Sequence, residues 1–391
     1  MTLQDSIRYF TGETHIMPCL SVACGGAGRF ACARGGVQDL QGAPLTERSI
    51  FDLASLTKLF TGLTVMRLNE EGLLDLSRPV AGYAPQFEYL TEVSVAQVLG
   101  FEVALTTQER VDTQKTPADA RKQLFGIRPG PVTGRAYSDM HAMVLKHVIE
   151  GAAQESCLHE VQRVILTPLE MADTFAVVPE ERRVDCVSCD REHRIERGRY
   201  ILREGIAPGM PHDPKAARLY PDYAGHAGLF STLGDMVKLC QGLLREQVVS
   251  RSTLISMSRN RTGLRRPDGT YSQFLGAQCY VLHPQQRFSE IPVYEGERAI
   301  GLSGFTGHHL SVDAENGIFA VFLGNRVLDR LTVLVPEEGR SITDYGLNPD
   351  GTGQVLWPDG RLVYSSVDYV HQKDAHLHRA VADELGLPAL R

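Results

Sequence analysis

No apolar run in this chain of 391 residues approaches the ~20 residues that a helix needs to cross a bilayer. Residues 1–10 also lack the basic segment followed by an apolar segment that marks a secretory signal. The eight cysteines are too sparse for a disulfide scaffold in a chain of this length. We therefore expect a protein of the reducing cytoplasm that has no membrane partner.

A strong excess of either charge is missing too. The formal net charge of −7 is modest, and lysine and arginine are scattered along the chain. This distribution argues against nucleic acid or an anionic membrane as the main partner. Apolar residues make up 43% of the chain, as in globular proteins with a sizeable core. The length allows two lobes that share one interface, or two ordinary domains.

Two catalytic signatures are also absent. The G-x-S-x-G elbow of α/β-hydrolases occurs nowhere in the chain. The glycine cluster Gly25–Gly28 lacks both the lysine and the following helix of a phosphate-binding loop. It is flanked instead by Leu20–Ala23 and Phe30–Ala33, which predict a β-hairpin.

The apolar pattern divides the chain into parts. It is mostly helical from Leu59 to about Leu239, and its period shifts to two from Gly276 onward. The predicted helices are 95–99, 140–149, 158–165 and 375–385, and the predicted strands are 277–281, 309–312, 318–323, 354–357 and 361–364. A mixed-charge run, 186–199, predicts an exposed loop. We expect an α/β (α+β) fold in which residues 1–75 and 235–391 form a lobe around one antiparallel sheet, with a mostly helical lobe, 76–234, inserted in it.

Ser55 and Lys58 are the first candidate catalytic residues. Apolar residues recur at helical spacing from Leu56 to Met66, which places Ser55 in the first turn of a helix. Three residues apart, Ser55 and Lys58 lie on one face of that helix. Nucleophilic acyl chemistry needs a base beside the hydroxyl and N–H donors aimed at the developing oxyanion, and a helix start offers such donors. The same spacing is common in solvated helix starts, so further partners are needed.

Three later stretches supply such partners. Tyr137 comes just before a helical run, and its phenol can relay a proton to a leaving group. The segment Gly225–Thr232 is small enough to line a pocket, and it contains His226. The glycines of Gly301–Gly307 let a backbone N–H approach a substrate oxygen closely.

Three motifs stand in order along the chain: Ser55-Leu56-Thr57-Lys58, Tyr137-Ser138-Asp139 and Leu302-Ser303-Gly304. They resemble the S-x-x-K, Y-x-N and K-T-G motifs of the serine β-lactamase and penicillin-binding-protein superfamily. The resemblance covers roughly residues 20–328 and is closest to the class C-like branch of esterases, DD-peptidases and transacylases. It implies a β-lactamase-like fold whose active site lies between the sheet and the helical lobe, with no metal and no cofactor.

The resemblance also implies a role for each matching residue. Ser55 would be the acylated nucleophile, Lys58 the base, and Tyr137 the group that shares or relays the proton. The N–H groups of Ser55 and Phe305 would form the oxyanion hole. We expect burial and nearby dipoles to lower the pKa of Lys58 from about 10.4, so that a neutral amine is available. Asp139, where relatives often carry asparagine, would hold Lys58 by a hydrogen bond but would favour its charged form.

The predicted substrate pocket comprises Asp139, His226, Leu302, Ser303 and Gly304. Leu302 is the largest departure from the family pattern, because relatives that bind a substrate carboxylate commonly have lysine or histidine there. Losing a charge-assisted contact of ~1.5–3 kcal/mol weakens binding roughly ten- to a hundredfold. The leucine therefore favours neutral esters or amides over β-lactams and D-Ala-D-Ala peptides.

Three other features allow two interpretations each. Cys186, Cys189 and His193 could ligate zinc, but no fourth ligand is evident and incidental cysteines are the favoured interpretation. His226 fits a hydrogen-bonded pocket wall better than a second base. Trp357, in the late hairpin, fits cross-strand packing better than a pocket cap.

The function predicted from these residues is two-step acyl transfer. The substrate is an ester or amide of a small molecule, and water, an amine or an alcohol accepts the acyl group. A cytoplasmic esterase or biosynthetic transacylase is favoured. A β-lactamase or D-Ala-D-Ala carboxypeptidase is the first alternative, and a non-catalytic binding protein on the same fold is the second.

Overall fold

The computed structural model describes residues 1–388. Its strands are β1 Cys19–Gly26, β2 Arg29–Gly36, β3 Phe51–Asp52, β4 Ala104–Thr106, β5 Arg128–Gly130, β6 Glu192–Glu196, β7 Arg199–Arg203, β8 Phe230–Ser231, β9 Ala299–Gly304, β10 His308–Asp313, β11 Ile318–Asn325, β12 Leu331–Val335, β13 Gln354–Leu356 and β14 Leu362–Tyr364. Its α-helices are α1 Leu3–Arg8, α2 Thr57–Glu70, α3 Val95–Leu99, α4 Pro117–Phe125, α5 Asp139–Ala153, α6 Cys157–Val161, α7 Ala216–Leu219, α8 Leu233–Leu244, α9 Arg251–Met257, α10 Tyr369–Gln372 and α11 His378–Leu385. Short 3-10 or π turns occur at Tyr9–Glu13, Ala54–Leu56, Val80–Gly82, Val111–Thr113, Gln162–Leu166, Glu180–Asp185, Gln286–Phe288, Ile342–Tyr345 and Lys373–Leu377.

A five-stranded antiparallel sheet in the order β2-β1-β11-β10-β9 organises the fold. It joins both ends of the chain, since Val22 of β1 pairs with Phe322 of β11. Because alternate side chains of a strand point to opposite faces, β11 contributes to two cores. Phe322 packs in the apolar cluster that contains α1 and α11, and Val321 packs in the cluster that contains α2 and α8. Helices therefore cover both faces, and the predicted α/β fold with one antiparallel sheet is confirmed.

The central helix of the second core is α2. Every position from Thr57 to Met66 is buried, including the three threonines of that stretch. Their hydroxyl groups find partners: Thr61 Oγ1 donates to the Gly225 carbonyl oxygen at 2.6 Å, and Thr64 Oγ1 donates within the helix. Because this part of the helix is enclosed on all sides, its first turn is held rigidly.

The middle of the chain, 76–234, contains α3–α7 but also β4–β8, so it is less uniformly helical than expected. The strands β6 and β7 form a hairpin, and β12 pairs in parallel with β6. The expectation of an exposed loop over 186–199 is wrong, since Cys186, Cys189, Glu192 and His193 are buried. The proposed lobe boundaries stay a prediction.

The predicted strand 277–281 does not form. Tyr280 forms only isolated bridges there, with Leu275 and with Gly301. Gln278 has a φ of 55°, and its side-chain amide donates to the Leu99 carbonyl oxygen at 3.2 Å. A left-handed residue turns the chain and breaks the extended conformation. The hairpin predicted around Gly25–Gly28 does form, as β1 and β2.

Within residues 1–388, no helix combines the length and the apolar character that crossing a bilayer would require.

Candidate active site

Ser55 lies in the turn that joins β3 to α2. Residues 54–56 form a 3-10 turn that runs directly into α2, so the predicted position of Ser55 at a helix start is confirmed. The buried carboxylate of Asp52 holds this turn, because it accepts from the N–H of Ala54 at 2.9 Å and from the N–H of His212 at 2.7 Å. Ala54 has a φ of 44°, a conformation that is costly for a residue with a Cβ and that is common at functional turns.

Lys58 is fully buried, and its ammonium group has three close oxygen contacts. Its Nζ lies 2.9 Å from Ser55 Oγ, 2.8 Å from Asp139 Oδ1 and 3.2 Å from the His226 carbonyl oxygen. It also lies 5.1 Å from the centroid of the Tyr137 ring. The structure therefore brings Ser55, Lys58 and Tyr137 together at one point.

The prediction that the pKa of Lys58 is lowered is wrong. Burial does pull this pKa down, but the Asp139 carboxylate and a hydrogen bond with Tyr137 outweigh burial and raise the pKa above its usual value. For Asp139 the balance is reversed: burial raises its pKa, yet the positive charges of Lys58 and Lys215 hold it well below its usual range. Lys58 is thus an ammonium group in the resting site, and it must lose a proton before it can act as a base.

A second lysine lies on the other side of Asp139. Lys215 Nζ is 3.0 Å from Asp139 Oδ2 and 3.3 Å from Asp213 Oδ2. Asp213 Oδ1 in turn lies 2.9 Å from His226 Nε2. Basic and acidic groups alternate along this row, so each carboxylate is shared between two partners. The ring of His226 faces Asp213 and not Ser55, which favours a hydrogen-bonded wall residue over a second base.

The same row contains carboxylate and imidazole groups, which are common metal ligands. Within residues 1–388, the one group of side chains with metal-ligand geometry is Asp139, Asp213 and His226. Lys215 already contacts both carboxylates, so its ammonium group neutralises the charge that would attract a cation. These residues do not fit a metal ion.

Cys186 and Cys189, which precede β6, do not form a metal-ligand set either. Cys186 and Cys189 are buried free thiols, and burial raises the pKa of Cys186 to about 12. The Nε2 atom of His193 lies 3.0 Å from a carboxylate oxygen of Asp329. In the described chain, these cysteines and His193 do not meet as a group of metal ligands.

The backbone at the end of β9 passes close to the Ser55 turn. A Cβ on Gly304 would lie 2.7 Å from the Leu53 carbonyl oxygen, so this approach requires glycine. Phe305, the next residue, lines the same cavity as Ser55. This placement suits the predicted oxyanion hole, which needs the Ser55 and Phe305 N–H groups on one side of a substrate carbonyl.

Aromatic stacking positions Tyr137. Its ring lies between those of Phe101 and Tyr280, with centroids 5.4 Å and 5.3 Å away. The Arg135 guanidinium lies 5.4 Å from the Tyr137 ring centroid. Such stacking limits the freedom of the phenol and keeps it beside Lys58, where a proton relay requires it.

The site opens into a cavity of about 430 Å³, within the range of small-molecule sites. It is lined by Ala54, Ser55, Arg110, Asp112, Arg135, Tyr137, Asp139, Arg194, Arg203, His212, Asp213, Pro214, Lys215, Ala227 and Phe305.

Of the predicted pocket residues, only Asp139 lines this cavity. Leu302 is fully buried in the apolar core. His226 and Gly304 are also buried and do not line the cavity. Ser303 donates its hydroxyl proton to a Glu290 carboxylate oxygen at 2.6 Å. The identity of residue 302 therefore says less about the substrate than its motif position suggested.

The basic residues of the cavity were missed by sequence reasoning. Arg110, Arg194 and Arg203 lie in no motif, and a strand facing a polar cavity has the same alternating pattern as one facing water. Lys215 directly follows His212-Asp213-Pro214, and it was not among the predicted site residues either.

Comparison with known proteins agrees with this geometry. A family model described as Beta-lactamase matches residues 8–333. The chain is 25% identical over 342 residues to proteins of Salmonella gallinarum and Salmonella typhi, each named "Putative D-alanyl-D-alanine carboxypeptidase", across 78% of this chain and 76% of theirs. The chain belongs to the beta-lactamase family, and its predicted place in the serine β-lactamase and penicillin-binding-protein superfamily is confirmed.

Solved structures show the same fold. EstCE1, "a hydrolase with promiscuous acyltransferase activity", has a TM-score of 0.66 and 18% identity over 83% of this chain and 92% of its own. A penicillin-binding-protein homologue from Caulobacter crescentus has a TM-score of 0.64 and 17% identity over 83% and 90%. A class C beta lactamase has a TM-score of 0.62 and 16% identity over 83% and 92%.

Replacing Asp139 with asparagine is expected to lower the pKa of Lys58, because the carboxylate that keeps the amine protonated is removed while the Lys215 charge stays nearby. A base with a raised pKa gains its neutral form only as pH rises, so wild-type kcat/KM should increase through the alkaline range. In Asp139→Asn this rise should move at least about one pH unit lower. Rates on a p-nitrophenyl ester between about pH 6 and pH 10 measure it. Asp119→Asn, on the exposed face of α4, is the control and should keep the wild-type pH profile. If the rise in kcat/KM stays at the wild-type pH in Asp139→Asn, the titrating group is not Lys58.

Proposed function

We propose that this protein is a serine hydrolase or acyltransferase that forms an acyl-enzyme on Ser55 from an ester or amide of a small molecule. One observation carries the proposal: the Ser55 hydroxyl lies 2.9 Å from the Lys58 amine, at the wall of a cavity of about 430 Å³. In a solvated helix start the lysine would be exposed, but Lys58 is buried. An activated serine needs a proton acceptor at this distance.

In the first step, Ser55 Oγ attacks the carbonyl carbon of the substrate. Lys58 first loses its extra proton to solvent by way of Tyr137, and the neutral amine then accepts the Ser55 proton. That proton passes to the alcohol oxygen or amine nitrogen of the leaving group as its bond to the carbonyl carbon breaks. The N–H groups of Ser55 and Phe305 stabilise the oxyanion that forms. The products of this step are an acyl ester on Ser55 and a protonated leaving group.

In the second step, water, an amine or an alcohol attacks the acyl-enzyme and regenerates the Ser55 hydroxyl. Water gives an esterase or amidase, and the other acceptors give a transacylase. We place the reaction in the cytoplasm as part of this proposal, where the eight free thiols would stay reduced.

A D-Ala-D-Ala carboxypeptidase or β-lactamase is the second candidate. It is supported by the 25% identity to the Salmonella proteins of that printed name. Release of D-alanine from a D-Ala-D-Ala peptide, or hydrolysis of a chromogenic cephalosporin, would select this candidate over an esterase.

Intact-mass measurement tests the proposed function. The protein is incubated with a panel of p-nitrophenyl esters, with and without amines, and the acylated peptide is mapped. We expect an acyl adduct on the peptide that contains Ser55, and amide products will identify a transacylase where acid products identify a hydrolase. Absence of an adduct both with every ester and with an activated phosphonate would indicate a binding protein on the same fold.

A further inference from the structure

The hairpin of β6 and β7 has two chemically different faces. In its register, Glu192 pairs with Arg203 and Arg194 pairs with Ile201. The alternate positions pack into a separate apolar cluster against Trp357, whose ring lies 4.4 Å from that of His193. Trp357 is therefore a packing residue, and its contact directs the opposite face of the hairpin, with two arginines, toward the catalytic cavity.

One buried carboxylate anchors both arginines. Glu192 is fully buried; its Oε1 accepts from Arg194 Nε at 2.8 Å, and its Oε2 accepts from Arg203 Nη1 at 3.1 Å. It also contacts His212 Nε2 at 3.0 Å and Thr332 Oγ1 at 2.6 Å. Burial alone raises the pKa of Glu192, but the hydrogen bond with His212 and the charge of Arg194 lower it to about 2. A single negative charge thus holds two guanidinium groups in place.

The outer nitrogens of Arg194 remain available to a ligand. In the described chain its nearest carboxylate other than Glu192 is that of Glu196, at 4.0 Å. The Arg194 guanidinium lies 5.4 Å from the centroid of the Phe305 ring, and that of Arg326 lies 5.2 Å from it. Two positively charged groups therefore lie beside Phe305, whose N–H belongs to the proposed oxyanion hole.

The other carboxylates of the cavity wall are already paired. Asp112 binds Arg110 through two hydrogen bonds, at 3.0 and 2.6 Å. Asp139 and Asp213 are shared by the lysines and the histidine described above. Arg135 lies over the Tyr137 ring and, within residues 1–388, forms no ion pair with a carboxylate. The cavity thus carries a positive charge that its own residues leave unbalanced.

We propose that Arg194 and Arg203, with Arg135, form an anion subsite that binds a carboxylate or phosphate group of the acyl substrate. This inference rests on the proposed function for the reaction and adds the class of substrate, an ester or amide with a negative charge. A guanidinium group can bind either anion in a bidentate manner, for which Arg194 is suited. Arg203, whose Nη2 also donates to the His212 carbonyl oxygen at 3.0 Å, adds its positive charge. The β6–β7 hairpin thereby supplies a positive charge for the substrate anion, which the buried Leu302 cannot supply.

The test compares two esters of matched acyl length, the mono-p-nitrophenyl ester of glutaric acid and p-nitrophenyl valerate. We expect kcat/KM for the anionic ester to exceed that for the neutral one by at least about tenfold. Placing the carboxylate on the nitrophenyl group instead shows which side of the scissile bond the subsite serves. Equal rates for charged and neutral esters in both arrangements would overturn the proposal.

Variants of the β6–β7 hairpin test whether its arginines cause the preference for the anionic ester. Arg194→Gln and Arg203→Gln should each reduce the anionic-to-neutral ratio of kcat/KM about tenfold, and Arg194→Lys should retain part of it. Taking a ratio removes any general loss of folded enzyme. Arg199→Gln is the matched control, because Arg199 lies exposed on the same hairpin and outside the cavity wall. An undiminished ratio in Arg194→Gln would contradict the assignment.

Binding measurements separate this inference from the proposed function. Calorimetric titration with succinate and with inorganic phosphate, on wild type and Arg194→Gln, needs no turnover. Weaker binding by the variant supports the subsite even if no ester is cleaved, and the tighter of the two anions identifies the group recognised. If the wild type binds neither anion, the subsite does not exist.

Discussion

Replacing Ser55 with alanine is expected to remove the covalent adduct completely and to reduce kcat/KM on any ester substrate by at least about a thousandfold. The reason is that the nucleophile itself is lost, while the cavity, the N–H donors and Lys58 remain. A substrate would still bind, but only direct attack by water would cleave it. Intact mass and initial rates with the ester panel measure the two effects.

The control for Ser55→Ala is Ser77→Ala, at an exposed serine whose hydroxyl donates to Asp75. This variant should retain both the adduct and the rate. Melting temperatures for both variants show that each is folded. An adduct that persists in folded Ser55→Ala would place the nucleophile elsewhere in the cavity and would disprove the mechanism.

The sequence was informative about the candidate catalytic residues because each lies in a short local motif. Ser55 and Lys58 share one helical turn, and Phe305 immediately follows a glycine that must approach the backbone closely. The placement of Lys58 relative to Ser55 depends on local helix geometry, which residue spacing specifies. The role of Phe305 required the family resemblance, since Phe305 lies far from Ser55 in the sequence. Tyr137 required the family resemblance as well, since nothing in its own neighbourhood indicates that α5 begins beside α2.

Electrostatics could not be predicted in the same way. The sign of the Lys58 pKa shift depends on whether burial or the Asp139 charge dominates, and that depends on a distance of 2.8 Å between residues far apart in sequence. Arg194 reaches the site from the segment 186–199, whose mixed charges predicted an exposed loop. Neither hydrophobic periodicity nor motif spacing reports which charged residues share a cavity.

Replacing Lys58 with alanine is expected to slow acylation by at least about a hundredfold, the loss typical of a missing general base. The rise of rate with pH that Lys58 produces should also disappear, since the titrating amine is gone. Asp139 keeps its contact with Lys215 at 3.0 Å, so the carboxylate is not left without a cation. We therefore expect the variant to fold and still to bind substrate.

Pre-steady-state release of p-nitrophenol across the pH range measures the acylation step of Lys58→Ala directly. Lys122→Ala, on α4 and outside the catalytic cavity, controls for the loss of one positive charge. The pH profile separates two roles for the lysine. If Lys58 acts as the base, the variant is slow at every pH; if its ammonium only assists Tyr137 as the base, the rate of the variant should still rise with pH. Near-normal acylation at neutral pH would exclude both roles and place the proton acceptor elsewhere.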